Sequence, residues 1–154
     1  MLVAVRELFS WNFKFIENGT VVGEMEASQW RETAELDLDD GRYSFYRDQI
    51  IGGDYVIDHK GRTIARASRP SRWRSHLDVE LFRRSVKLRR PSIFMRRFAV
   101  IEHGRRVGII SPGWIMGGAK IDLPPDWTVL DRAFLFWLCA LMWRRMPDWM
   151  IQIR

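Results

Sequence analysis

Residues 126–147 read DWTVLDRAFLFWLCALMWRRMP, and their pattern predicts a buried helix around which the rest of the chain must fold. Residues 133–143 are apolar on every face of a helix, which predicts a helix that is buried all round, in protein or in lipid. Thr128 or Asp131 is expected to cap its N-terminus. A helix that crosses a bilayer needs roughly 20 apolar residues, so this one is too short to do so. We therefore expect a helix over residues 129–145 that the rest of the chain encloses.

Residues 11–122 carry a strand pattern that repeats about every 43 residues. Residues 30–47 match 73–90, and residues 55–68 match 98–111 at the same offset. Apolar residues alternate with polar ones at period two, which predicts antiparallel strands joined by turns. The predicted repeat units lie at about residues 11–52, 53–95 and 96–122.

Three turn glycines mark the first hairpin of each unit, at Gly19, Gly61 and Gly104. Asn18-Gly19 and His103-Gly104 are typical of tight hairpins whose turn residues have positive φ. A tryptophan follows each turn by about ten residues. We expect these tryptophans to anchor the hairpins in the core: Trp30, Trp73 and Trp114.

The strands and the helix together favour one architecture. Eight strands close into a barrel that side chains can fill, whereas more strands leave a lumen. Three four-stranded blades are fewer than a propeller uses, and a propeller would leave the helix without a place. We therefore predict an all-β fold with one buried helix: an antiparallel barrel of about twelve strands, plugged by residues 129–145. It is expected to form a single domain over residues 1–154, and the tail, residues 148–154, is a further candidate strand.

This pattern resembles the tubby C-terminal-like group, which includes the LURP-one-related proteins and the phospholipid scramblases. The resemblance is carried by the hairpins at residues 13–24, 55–66 and 98–109 and by the apolar helix at 133–143. It implies a barrel around a helix. In that group, tubby domains bind phosphoinositide headgroups through basic surface residues, and scramblases are associated with membranes and calcium. No lipid-binding residue of the group can be matched to a position here, so none is carried over.

The 154 residues are 47% hydrophobic and 29% charged, which is typical of one globular domain with a sizeable core. Residues 1–59 hold 5 basic and 12 acidic side chains, residues 60–106 hold 15 and 3, and residues 107–154 hold 5 and 4. The single cysteine, Cys139, excludes an intramolecular disulfide. Together with the lack of a recognisable signal peptide, this favours a cytoplasmic location.

An arginine-rich stretch in the basic segment is the strongest candidate for a binding site. Val86 and Leu88 are expected to point into the barrel, so Lys87 and Arg89 should point outward. The candidate anion-binding residues are Arg83, Arg84, Lys87, Arg89, Arg90, Arg96 and Arg97. Guanidinium groups bind phosphate in two places, so phospholipid headgroups fit this stretch. The alternatives are a charged edge strand that resists aggregation, and pairing with the acidic segment within one fold or across a dimer.

The sequence offers no constellation for catalysis or metal binding. The three histidines, His59, His76 and His103, have no partner at zinc-ligand spacing. The acidic residues 37–41 lack the donor pattern of a calcium loop and instead predict a turn after a strand. Cys139 lies within the apolar helix, where a thiol serves packing. We therefore expect no enzyme activity, no metal and no cofactor.

We expect a non-enzymatic module that binds anionic phospholipid, peripherally at the cytoplasmic membrane surface, through the arginine-rich surface. The alternative is a protein-interaction or scaffold domain that forms a charge-complementary homo-oligomer. Nucleic-acid binding is disfavoured, because base stacking needs exposed aromatic rings and the repeat predicts inward ones. Trp143 and Trp149 flank Arg144 and Arg145, which suits either a membrane interface or a helix end packed at the barrel mouth.

Overall fold

A computed structural model describes residues 1–48, 53–70, 76–92, 95–113 and 118–145. These residues form twelve strands and one helix. The strands are β1 (Leu2–Arg6), β2 (Asn12–Glu17), β3 (Thr20–Ala27), β4 (Thr33–Leu38), β5 (Gly41–Arg47), β6 (Tyr55–His59), β7 (Arg62–Ser68), β8 (His76–Glu80), β9 (Ser85–Arg89), β10 (Phe98–Glu102), β11 (Arg105–Pro112) and β12 (Ala119–Asp122). The helix, α1, spans Val129–Arg144.

The strands form one closed antiparallel barrel in which each strand pairs with its neighbours along the chain. Closure comes from β1, where Leu2 lies opposite Glu17 of β2 and Ile121 of β12. The last predicted unit, residues 96–122, holds only three strands, β10, β11 and β12, and β1 takes the place of a fourth. A closed barrel has no edge, and β9 pairs with both β8 and β10. The interpretation of β9 as a charged edge strand is therefore wrong.

Three hairpins share one turn geometry. Asn18, Lys60 and His103 have φ angles of 53°, 52° and 53°, and each precedes a glycine whose φ lies between 74° and 81°. Positive φ at both turn positions allows the chain to reverse in two residues, as the Asn-Gly and His-Gly pairs predict. Each hairpin also contains a register shift, located at Phe15/Ile16, Ile57/Asp58 and Val100/Ile101. The wider repeat stays a prediction.

The helix fills the barrel, and residues 133–141 are all buried. The ring of Phe136 lies 4.9 Å from that of Phe13, and the ring of Trp137 lies 5.5 Å from that of Phe45. Such aromatic pairs contribute roughly 0.5–1.5 kcal/mol beyond the area they bury. The predicted twelve-stranded barrel around a buried helix is thus confirmed.

The two ends of the barrel differ. One end carries the short turns and the segment that leads into the helix; this hairpin rim comprises residues 18–19, 39–40, 60–61, 81–84, 103–104 and 123–128. The opposite loop rim comprises residues 7–11, 28–32, 48, 53–54, 69–70, 90–92, 95–97, 113 and 118. The helix runs from the first rim to the second. Near its start Arg132 binds Glu17, and at its end Arg144 donates to the Ser28 carbonyl.

The N-terminus of the helix is capped by Thr128, one of the two predicted caps. Its side-chain oxygen accepts a hydrogen bond from the N–H of Asp131 at 3.1 Å. This contact satisfies one of the backbone donors that have no partner in the first helical turn.

The prediction that Trp30 lies in the core is wrong, because its side chain is 88% exposed. Trp30 belongs to the β3–β4 connection, and the helix already occupies the lumen that an inward ring would need. Among the described residues, three other tryptophans are buried: Trp127, Trp137 and Trp143. The predictions for Trp73, Trp114, Trp149 and the tail 148–154 fall outside the described residues.

Candidate functional site

The seven predicted anion-binding residues lie in three places. Arg83 and Arg84 belong to the hairpin rim, Lys87 and Arg89 lie on β9, and the loop rim holds Arg90, Arg96 and Arg97. β9 has 5 residues and is therefore roughly 16 Å long. The seven residues consequently form a stripe along the barrel wall rather than one pocket.

Arg84 is held by partners within the fold. Its Nη1 atom lies 3.5 Å from a carboxylate oxygen of Glu102, and its guanidinium lies 4.2 Å from the centre of the Trp127 ring. Arg83 is exposed, with its guanidinium 5.8 Å from the Phe82 ring. Arg84 therefore anchors the segment that leads into the helix, whereas Arg83 faces solvent.

Lys87 and Arg89 are exposed on the outer face of β9. Lys87 lies across from Asp78 on β8, and Arg89 lies across from His76. These side chains border a groove of about 740 Å³ on the outer wall, which also reaches Ile101. Within the described parts of the chain, neither cation has a carboxylate oxygen within 4.0 Å. Both therefore remain available to an external anion.

Two acidic strands, β3 and β4, lie on the side of the barrel opposite β9. Glu24 and Glu26 on β3 lie directly across from Asp37 and Glu35 on β4. β3 and β9 are six positions apart in either direction around the closed ring of strands. The acidic strands and Lys87 therefore lie on opposite sides of the barrel, and they cannot pair within one molecule.

The loop rim is rich in arginine, and most of its carboxylates are paired. Glu32 binds Arg47 at 3.3 Å and also Arg145, and Asp54 binds Arg66 at 3.1 Å. Three exposed arginines of this rim have no carboxylate oxygen within 4.0 Å among the described residues: Arg31, Arg69 and Arg97. The rim thus adds unpaired positive charge next to the end of β9.

The loop rim also exposes large apolar side chains. Phe9 is 99% exposed, Trp30 is 88% exposed and Leu8 is 61% exposed. Leu8 and Phe9 were not predicted as site residues, although this apolar pair stands out in a segment where connections are ordinarily polar, and Trp30 was placed in the core. The hairpin rim has a comparable ring in Phe82, which is 78% exposed.

The β1–β2 connection holds Phe9 outward by contacts among its neighbours. The backbone N–H of Glu7 donates to the Asn12 carbonyl at 2.8 Å, and the Arg6 side chain donates to the Ser10 carbonyl at 2.7 Å. These bonds place Phe9 at the tip, where its φ is 61°, a left-handed conformation that non-glycine residues rarely adopt. The fold therefore keeps an apolar ring in water at a strained position.

Arg144 joins two of these connections. Its side chain donates to the carbonyl of Ser28 at 3.0 Å and to that of Gln29, and it lies 5.0 Å from the centre of the Trp11 ring. Partial burial lowers the pKa of Arg144. The Ser28 hydroxyl in turn accepts the N–H of Trp30 at 3.3 Å. The tips that carry Phe9 and Trp30 are thus positioned by the end of the helix.

Trp143 closes the barrel mouth from inside. It is buried, and its indole N–H donates to the Arg96 carbonyl. Of the two interpretations offered for this residue, packing of the helix end at the mouth is therefore the one the structure supports.

Within the described residues, no three metal-ligating side chains come together. The helix found there is too short to reach across a bilayer.

Cys139 is buried, and desolvation raises the pKa of its thiol well above the ordinary value, as expected of a packing residue. Asp39 and Asp40 form the turn between β4 and β5, as predicted.

No protein-family model matches the chain, and neither the curated proteins nor the solved structures yield a significant match. The site is therefore interpreted from its own chemistry.

Proposed function

We propose that this chain is a non-enzymatic module that binds anionic phospholipid peripherally, at the cytoplasmic surface of a membrane. The observation that carries the proposal is a set of exposed cations without carboxylate partners among the described residues: Arg31, Arg69, Lys87, Arg89 and Arg97. The acidic strands β3 and β4 lie on the opposite side of the barrel from Lys87 and Arg89, so their carboxylates are out of reach of these two cations. The resemblance to the tubby C-terminal-like group stays a prediction.

A phospholipid surface suits this arrangement because the cations form a stripe that continues onto a rim. A basic residue close to an anionic leaflet contributes about 1 kcal/mol, so several weak contacts add up to stable adsorption. The guanidinium groups can also bind phosphate oxygens in two places. Because the residues are exposed, salt screens the attraction, and binding should fall as ionic strength rises.

The test is co-flotation with vesicles of phosphatidylcholine, with and without phosphatidylserine, at low and at high salt. The test variant replaces four cations of the stripe with glutamine: Lys87, Arg89, Arg90 and Arg97. A matched control removes the same charge elsewhere, through glutamine at Lys14, Arg42, Lys60 and Arg62. Binding should require phosphatidylserine, fall with salt, and drop by at least about tenfold in the test variant but much less in the control.

Other results would overturn the proposal. Absence of flotation under every condition would leave the cations without a lipid role. An equal loss in the test variant and the control would show that only net charge matters. Salt-resistant binding to phosphatidylcholine alone would point to insertion of apolar surface without recognition of charge.

A second candidate function is self-association through opposite charges, because the acidic strands and Lys87 lie on opposite sides of one barrel. Contacts between two different faces are head-to-tail, and they form rings or open filaments rather than a two-fold dimer. This candidate predicts a molecular mass that grows with protein concentration at low salt. Glutamine at Glu24 and Glu26 should abolish that growth, as measured by light scattering.

A further inference from the structure

We propose that the loop rim is the face that meets the membrane, with Leu8, Phe9 and Trp30 entering the headgroup region. This inference rests on the proposed binding of anionic phospholipid and adds the orientation of the barrel. It places the barrel end-on, with the C-terminal end of the helix nearest the lipid and the hairpin rim facing away.

The apolar tips of the loop rim are exposed to water. Phe9 and Trp30 are 99% and 88% exposed. Hydration of these large apolar surfaces is unfavourable. Transfer of each ring to an apolar environment would lower the free energy by about 25 cal/mol per Å² of surface removed from water. Trp and Phe are also the side chains that settle at the boundary between water and acyl chains.

The loop rim also carries arginines that have no carboxylate partner among the described residues. Arg31 follows Trp30 directly, and on the β9–β10 connection Arg97 comes two positions after Met95, which is 39% exposed. An apolar ring beside a guanidinium that has no carboxylate partner among the described residues complements a surface whose phosphates lie just above its hydrocarbon. A second copy of this chain is a poorer occupant, because its loop rim would bring the same positive charge into contact.

The tips are held in place before any contact with a membrane. The β1–β2 and β3–β4 connections are separated only by the β2–β3 hairpin, and Arg144 contacts both of them. The Ser28 hydroxyl accepts the N–H groups of Trp30 and Arg31 at 3.3 and 3.0 Å. Fixed loops lose little conformational freedom on binding, so more of the interaction energy appears as affinity.

The hairpin rim supplies the control. Phe82 is 78% exposed, and Arg83 lies beside it, so both rims present an apolar ring next to a guanidinium. The loop rim has apolar tips on several connections, whereas Phe82 stands on one. A test that compares Phe9 with Phe82 therefore separates end-on docking at the loop rim from adhesion by any exposed ring.

The experiment uses an environment-sensitive dye on a cysteine. The sole native cysteine, Cys139, is buried, so the folded chain carrying Phe9→Cys, Trp30→Cys or Phe82→Cys should react only at the new thiol. Each labelled protein is mixed with vesicles of phosphatidylcholine and phosphatidylserine, and flotation is measured on the same samples. We expect the emission of the dye to shift to shorter wavelength at positions 9 and 30 but not at position 82.

A second measurement does not depend on the dye. The double variant Leu8→Ser with Phe9→Ser should bind these vesicles roughly tenfold more weakly than the wild type, because two apolar side chains no longer enter the interface. Phe82→Ser should bind as the wild type does. Unchanged circular dichroism checks that each variant has folded.

The two measurements distinguish failure of the end-on orientation from failure of the proposed lipid binding. Flotation without a spectral shift at positions 9 and 30 would overturn the end-on orientation while the proposed lipid binding stands. A shift at position 82 as large as that at position 9 would also overturn it. Absence of flotation for the unlabelled wild type would overturn both proposals. A shift that appears without vesicles as protein concentration rises would assign the loop rim to self-association.

Discussion

Arg132 and Glu17 form a bidentate ion pair that joins the first turns of the helix to the end of β2. Arg132 Nη2 donates to Glu17 Oε1 at 3.1 Å, Nη1 donates to the second oxygen, and 115 positions of sequence separate the residues. The Arg132 side chain is only 2% exposed. Apolar burial is non-directional, so this pair, together with the hydrogen bonds of Trp143 and Arg144 at the other end, fixes the depth and rotation of the helix in the barrel.

Removing the carboxylate should therefore destabilise the fold. Glu17→Gln leaves a buried guanidinium without its counter-ion, a change that costs roughly 3–5 kcal/mol when both partners are buried. Glu17 itself is 20% exposed, so we expect a loss of about 3 kcal/mol in the free energy of unfolding by urea. Glu24→Gln on the outer wall should change it by less than about 0.5 kcal/mol. Equal losses would show that the pair has no special structural role.

The same pair should make stability depend on pH. The Arg132 hydrogen bonds hold the pKa of Glu17 below its ordinary value of 4.5. The unfolded chain therefore binds the proton more readily, and the stabilisation present above pH 4.5 is lost as pH falls through the folded pKa.

The measurement is the difference in unfolding free energy between the wild type and Glu17→Gln across this pH range. It should shrink as the solution becomes more acidic. Burial raises the pKa of Asp131 and acts in the opposite direction, but the difference cancels its contribution. A difference that stays constant with pH would contradict the account of the pair.

Trp137 and Trp30 offer a direct contrast between core and surface. Trp137 is 2% exposed and contacts the rings of Phe45, Tyr55 and Phe134. Trp137→Ala should cost roughly 3–5 kcal/mol, because it removes the contacts and leaves a cavity in the plug. Trp30→Ala should cost less than about 0.5 kcal/mol in the same urea titration. Similar losses would mean that the Trp30 ring packs against the protein in solution.

Arg144 should act as a positioning residue for the loop rim. Arg144→Gln removes the guanidinium that joins the Ser28 and Gln29 carbonyls to the Trp11 ring. We expect faster amide hydrogen exchange in residues 7–11 and 28–32, with little change in β6 or β7. Arg97→Gln is the control, since no hydrogen bond links Arg97 to either connection among the described residues. Equal rates of amide exchange in the two variants would show that Arg144 does not position the loop rim.

The barrel could be predicted from the sequence because its determinants are local. Period-two alternation, the Asn-Gly and His-Gly turns and an all-apolar helix each carry their own physical signal, and one architecture satisfies all of them. The closing strand β1 gives no such signal. Its pairing with β12 depends on where both strands arrive in space.

The candidate site was less predictable than the barrel, because it depends on contacts between residues that are far apart in sequence. Lys87 and Arg89 point outward as strand alternation predicts, but whether a cation has a partner depends on residues far away in sequence, as Glu102 does for Arg84. Trp30 was assigned to the core because its position recurs with the predicted repeat. A recurring position does not fix orientation in a connection, where the period of two no longer applies.

The most direct test of the central claim, that unpaired cations of this barrel recognise anionic lipid, is the partition coefficient onto vesicles containing phosphatidylserine as salt is raised. The wild type should show a steep decline, and the variant with glutamine at Lys87, Arg89, Arg90 and Arg97 should bind more weakly with a shallower decline. The variant with glutamine at Lys14, Arg42, Lys60 and Arg62 should keep the steep decline. A wild-type partition coefficient that does not change with salt, or equal slopes for all three proteins, would contradict the account.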